Sequence, residues 1–398
     1  MKPLLTSLLA LGLALPAMAN HQDRGDVLRL FVGDAETPSL GVFDWQFGAD
    51  PAPVDRFELI AAGRVHLAPS GATAVVHERH GNRISLIDTG LSLEDHGDHS
   101  HAWLGPVSAL PLTLEGAEPV HFNRGAGLVA SFFDGSGEFA VWREADLRAG
   151  NDAPVLRQET GAAHHGLAMP SAAGVFVGVP TEGERLPQAI ALRDMGGAEL
   201  VRVDCPGAHG AGISGPVAAF GCTDGVALID SSATPPTVRH MAYPAELGEG
   251  AVRNLQGAIT YRAFLGDFGP QAMVLVDPDE ADGGFTRIDL PARRMAFTAN
   301  PAGDTGFVLL EDGRLVRLNT MLGTVTAELH GVTAGYSMER GVIRPMLALE
   351  GDWLAVSDPA RGSVALVDLA HWEVAQRIET GGTPQSVALI LAEGYIGN

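Results

Sequence analysis

Val120-His-Phe-Asn-Arg-Gly-Ala-Gly-Leu-Val-Ala-Ser131 alternates apolar and polar residues, breaks at a glycine-rich turn, and resumes as an apolar run. Alternation with period two marks a strand, and glycines between two such runs mark a tight antiparallel turn. The runs 139–143 and 155–158 continue the pattern, the last being more polar. One unit therefore consists of a small inner strand, a turn, two apolar strands and a polar strand. Comparable starts lie near His66, His121, His165, His209, Asn254, Phe297, Leu347 and Val387. Their spacing is mostly about 40 to 50 residues, that of four-stranded propeller blades.

The rest of the chain fits that template. Short apolar runs at 27–32, 40–45, 83–87, 226–229, 272–276, 307–310 and 363–367 are separated by glycine, aspartate and proline. The eighth start, 386–391, has too little chain after it for a blade. The N-terminal runs 27–33, 40–45 and 56–60 match the second, third and fourth strands of the unit. Pairing the C-terminal strand with them closes the ring and leaves no open radial edge. The expected fold is an all-β propeller of eight blades. Seven is the alternative, because the units around His66 and Phe297 carry insertions. Two stacked sandwiches explain the spacing and the terminal match less well.

Met1-Lys2, an apolar stretch at 4–15 and Ala17-Met18-Ala19 have the layout of a secretory signal peptide. The expectation is a leader at 1–19, then one propeller domain over 20–398, periplasmic and without a membrane anchor. The only lysine, Lys2, would leave with the leader. That excludes lysine Schiff-base chemistry and a P-loop lysine. A net charge of −22 and the lack of a basic tract argue against nucleic acid. Cys205 and Cys222 are the only cysteines. In an oxidising compartment they read as a disulfide, contributing about 3 kcal/mol in the chain-entropy picture.

Two groups of histidines stand out. His66, His121, His164, His165 and His209 fall at or near the starts of four consecutive inner strands, which line the channel of a propeller. Units five to eight carry Asn254, Phe297, Met346 and Ser386 there, so a metal site would sit on one side of the channel. A single histidine at a strand start is more often structural; four in consecutive units point to a shared site. His121, His165 and His209 are the favoured set, the last two each followed by glycine.

The second group is Glu94-Asp-His-Gly-Asp-His-Ser-His101, in the insertion near 94–102 that lengthens the His66 unit. Imidazole and carboxylate donors suit zinc. Extended backbone places His99 and His101 on one side, and Gly97 permits a bend that brings in His96 or Asp98. With no thiolate or methionine, Cu(I) is poorly served. The bland alternative is a solvated polar loop. His77-Glu-Arg-His80 is one residue short of a zinc-protease motif and reads as structural on a strand.

Together, the leader, the propeller, the 95–101 loop and His121, His165 and His209 resemble the periplasmic zinc metallochaperones of AztD type. The resemblance covers essentially the whole chain after the leader, and the loop is its most specific element. It implies a monomeric carrier, not an enzyme, that binds Zn2+ and passes it to the solute-binding protein of a zinc ABC transporter. It further implies that His121, His165 and His209 belong to a channel site. His96, Asp98, His99 and His101 would then form a mobile flap. The alternative function is a lactonase-like or metal-dependent hydrolase with its site at the channel mouth, for which no nucleophile elbow is present.

Overall fold

A computed structural model describes residues 26–95, 97, 100–280 and 284–393. The leader assigned to 1–19 lies outside them. Eight four-stranded antiparallel sheets form the ring. Blades 1 to 7 open with inner strands at Arg64–Leu67, Pro119–Gly125, Ala168–Ser171, Ala211–Ser214, Leu255–Gly257, Arg294–Ala299 and Leu347–Glu350. Each expected start is on such a strand or within three residues of one.

Blade 8 is composite. Its inner strand, Pro384–Ala392, pairs with Val27–Asp34, which pairs with Ser39–Gln46, which pairs with Ala52–Glu58. Leu30 lies opposite both Leu389 and Phe43, so the chain ends are stitched by ladder hydrogen bonds. The last of these strands ends two residues before the expected 56–60 segment does. Beyond it the backbone N–H groups of Ile60 and Ala61 donate to the Glu78 carboxylate, which draws the chain off the sheet toward blade 1.

The burial pattern explains the apolar middle strands. Leu128–Phe133 and Glu138–Arg143 are buried along nearly their whole length, because neighbouring blades cover both faces. Outer strands such as Glu199–Asp204 are mostly exposed. Phe132, Phe133, Phe139 and Trp142 are fully buried between blades. Each contributes roughly 1.5–3 kcal/mol or more by burial.

A blade with alternating strand directions has two unlike ends. Inner strands begin, and second-to-third turns lie, at what we term the entry mouth; inner strands end, and third-to-fourth turns lie, at the exit mouth. The insertion in blade 1 joins its third strand, Arg83–Asp88, to its fourth, Ser108–Glu115, so it leaves from the exit mouth. It is an antiparallel ribbon, Leu91–Asp95 against Ser100–Leu104, with Glu94 opposite His101. Arg29 fixes its neck, donating at 2.7 Å to the carbonyls of Thr89 and Gly105 while paired with Asp44.

Cys205, just past the last strand of blade 3, is disulfide-bonded to Cys222, just past the second strand of blade 4. Among the described residues no helix is long and apolar enough to cross a membrane.

Candidate metal centre

Three of the expected histidines converge at the entry mouth. His121 sits on the inner strand of blade 2, immediately after a register shift between Pro119 and His121. Such a bulge re-aims the side chain that follows it. His165 and His209 lie just ahead of the inner strands of blades 3 and 4. Their backbone N–H groups donate to the carbonyls of Arg185 and Gly221. Gly210 has φ +78°, and a Cβ there would lie 2.4 Å from the Arg253 carbonyl oxygen. Only glycine lets blades 4 and 5 approach so closely beside His209.

One nitrogen from each ring lies within 4.8 Å of the others. His121 Nε2 and His165 Nε2 are 3.0 Å apart and share a hydrogen bond. The far side of each ring decides what the near side offers. His165 Nδ1 bonds Asp134 Oδ2 at 2.6 Å, and His209 Nδ1 donates to the Arg253 carbonyl at 2.6 Å. Both contacts place the proton on Nδ1 and leave the Nε2 lone pair facing the common space. His121 Nε2–H therefore donates to His165 Nε2. A metal would displace that proton.

The electrostatics hold two of the three imidazoles, His121 and His209, in the neutral form. Burial, then the nearby His165 and His209, holds the His121 pKa down at about 3. Burial likewise lowers that of His209. Neutral imidazoles are the form that ligates. Nitrogen donors about 2.0–2.1 Å from zinc must lie roughly 3.3 Å apart in a tetrahedron, so small ring movements suffice here. The cavity above the cluster is about 650 Å³, and none of the residues lining it is acidic. Arg64, Arg294 and Arg344 line it, Arg294 being paired with Asp267 at 2.8 Å. The geometry thus brings three imidazole nitrogens to one space, with a fourth direction open to solvent.

The other candidates lie elsewhere. His164 is buried beside Phe132 with Nδ1 donating to the Ala162 carbonyl, and it does not join the cluster. His66 stacks on Phe122 at 4.8 Å and meets His77 edge-on at 5.5 Å. His77 is buried on the strand Thr73–Glu78, bonded to Ser131 Oγ at 2.9 Å. His80 lies on a 3-10 turn that ends that strand, not on the strand itself. His101 is on the ribbon at the exit mouth; His96, Asp98 and His99 lie outside the described residues.

Sequence reading missed Asp134, which passed as an ordinary turn residue in Asp134-Gly-Ser-Gly. It closes the second strand of blade 2, next to the start of blade 3. Its remaining oxygen, Oδ1, is buried without a partner, and Arg79 stands 3.6 Å from Oδ2. A carboxylate behind a ligating histidine is a common outer-shell arrangement. The signal was its place in the repeat, one residue past the second strand.

No family model matches the chain. A zinc chaperone of Citrobacter koseri, AztD, is 30% identical over 399 residues, spanning 98% of this chain and 92% of that protein. The crystal structure of Citrobacter koseri AztD superimposes with a TM-score of 0.84 at 28% identity, covering 94% of this chain and 100% of that one. The structure of apo AztD from the same organism also gives 0.84, covering 93% and 100%. Dihydro-heme d1 dehydrogenase NirN, 11% identical with a TM-score of 0.60 over 91% of this chain and 74% of its own, shares the fold alone.

Proposed function

The chain belongs to the AztD family of zinc chaperones, and from that premise we propose that it is a periplasmic carrier of Zn2+. It would hold the ion at His121, His165 and His209 and pass it to the solute-binding protein of a zinc ABC transporter. The observation that carries this reading is the convergence of three imidazole nitrogens within 4.8 Å, two of them fixed from behind by Asp134 and Arg253.

The physics of the site suits a carrier. Three imidazole nitrogen donors suit zinc, yet leave one coordination position toward an open mouth. An incoming donor from the partner can enter there before any histidine leaves, so exchange proceeds stepwise without free zinc. The arginine-lined mouth lowers the local affinity for a dication and attracts acidic groups, which favours hand-over to a carboxylate-bearing partner.

His96, Asp98, His99 and His101 serve, in this reading, as a second collecting element. Their ribbon is rooted at the exit mouth, on the far side of the ring from the three-histidine cluster, so it acts as a separate receiver and not as a lid. Export by the 1–19 leader fits a disulfide-bonded chain.

The test is zinc titration against a competing chelator with untagged protein. The His121→Ala, His165→Ala, His209→Ala triple variant should lose the tight equivalent. Stopped-flow transfer to a zinc-binding protein should then be compared with the His99→Ala, His101→Ala variant, which should keep that equivalent and accept zinc more slowly. Retention of the tight equivalent in the triple variant would sink the proposal.

A further inference from the structure

A second set of metal-binding side chains lies on the rim of blade 4, apart from the channel cluster. Cys222 Sγ, a carboxylate oxygen of Asp224 and an imidazole nitrogen of His240 all lie within 4.8 Å of one another. His240, on the outermost strand Thr237–Ala242, bonds Asp224 Oδ1 through Nε2 at 3.0 Å. The sulfur is in the disulfide with Cys205, and a disulfide sulfur is a poor ligand, because zinc takes the thiolate.

We propose that the reduced protein carries a second zinc site, built from the thiolates of Cys205 and Cys222 with His240 and Asp224. Disulfide and metal would then be alternative occupants of one position.

The donor set is the first argument. Two sulfurs, one nitrogen and one oxygen are all donors that zinc accepts; Cys205 Sγ, bonded to Cys222 Sγ, lies outside the group within 4.8 Å and turns toward it once the bridge opens. Zn–S bonds of about 2.3 Å ask the two sulfurs to separate to about 3.7 Å, which rotation about the Cα–Cβ bonds supplies with the Cα atoms 5.0 Å apart. The framework is the second argument. The Cys222 N–H donates to Gly225 O and its carbonyl accepts from Tyr243 Oη, while the Cys205 N–H donates to Gln188 O. Loss of the S–S bond leaves these ties in place.

The third argument is access and charge. Both cysteines are fully buried, whereas Asp224 and His240 line a surface groove with Asp204, Arg202 and Arg239. An ion reaches the oxygen and nitrogen from the groove and the sulfurs from there. Two thiolates and a carboxylate around Zn2+ leave one net negative charge; Arg239 stands in the same groove, while Arg202 there is paired with Glu199.

The chemistry balances with a dithiol as reductant. The dithiol gives two electrons and two protons to Cys205–Cys222, forming its own disulfide and two cysteine thiols. Zinc then displaces the two thiol protons to solvent. A newly exported chain, not yet oxidised, reaches the same thiol state without the first step.

Cobalt(II) tests this in the full protein, because only sulfur ligation gives an intense near-ultraviolet charge-transfer band. The oxidised protein should show no band. Protein reduced with a phosphine should show one that rises to a plateau once the thiol site and the histidine sites are filled. Cys222→Ser should abolish it, and His240→Ala should weaken cobalt binding about tenfold or more. Circular dichroism follows the fold throughout. A folded reduced protein without the band overturns the proposal, as does a reduced protein that loses its sheet signal. An unchanged affinity in both His240→Ala and Asp224→Asn also overturns it, since the thiols would then be acting alone.

Discussion

His66 and His121 both lie on inner strands, in adjacent blades, and the repeat alone does not tell them apart. His121 faces His165 at 3.0 Å in an open mouth. His66 lies flat on Phe122, its Nε2 buried without a partner, next to His77. The difference comes from depth and from what stands behind each ring. Arg64, two residues before His66, occupies the mouth level in blade 1, so His66 is carried further down the channel wall. His165 and His209 have an acceptor on the far nitrogen that sets their lone pairs. A histidine on a repeat position joins the proposed site only when the neighbouring blades place its nitrogen beside others and fix its tautomer.

The largest effect expected from this contrast is on zinc affinity. Replacing His121 and His165 together with alanine removes two of three donors and should weaken binding by more than about 100-fold, beyond what outer-shell changes cost. His66→Ala should change it by less than about threefold. Chelator competition on the two variants measures both, and comparable losses would abolish the distinction.

The second effect is on acid stability. Burial depresses the His77 pKa to about 4 in the fold, against a carbonyl of Val120 that opposes the shift, and depresses that of His66 well below its usual value. The unfolded chain, with imidazoles near 6.5, takes up protons first as pH falls. Stability is therefore full above about pH 6.5 and drains on descent toward about pH 4, with His77 accounting for about 3 kcal/mol of that loss. Urea melts of zinc-free protein at pH 7 and pH 5 should show the decline. In His77→Gln the decline should be shallower; an identical slope would mean that the buried pair is not its source.

Much of this could be read in the sequence, for reasons that differ from residue to residue. The blades were legible because middle strands covered on both faces must be apolar, and the composite blade because 386–391 lacked partners that 27–33 could supply. His121, His165 and His209 were legible from their place in the repeat. The choice between His164 and His165 was not. Adjacent residues point to different sides of the chain, and only the Asp134 contact shows which ring faces the channel. The exit-mouth root of the ribbon Leu91–Asp95 and Ser100–Leu104 was not legible, because strand direction has meaning only once the blade order is known. Asp134 was missed because its partner lies 31 residues away in the next blade, although its place one residue past a second strand held the signal.

The third effect tests that missed residue. Asp134→Asn keeps the shape but removes the charge that holds His165 Nδ1–H. Zinc affinity should fall about 10- to 100-fold, the usual cost of losing such an outer partner. The loss should exceed that of Glu118→Gln, whose carboxylate pairs with Arg79 on the surface. Equal effects would assign Asp134 a merely structural role.

The smallest effect separates the two histidine groups from the other side. Ser131 lies on the second strand of blade 2, two residues before Phe133, and its hydroxyl meets His77 Nε2 at 2.9 Å. It bonds His77, and its hydroxyl is not hydrogen-bonded to His121, His165 or His209. Ser131→Ala leaves a buried imidazole nitrogen without its partner, which should cost about 1 kcal/mol of stability. Zinc affinity should stay within twofold. Ser131 nevertheless faces the adjoining blade from a strand that pairs directly with the one carrying His121. If its loss weakens zinc binding as much as it weakens the fold, the inner wall of blades 1 and 2 acts as one unit. His66 and His77 then help to position His121, and the division between a packing pair and a binding trio gives way to a continuous histidine wall.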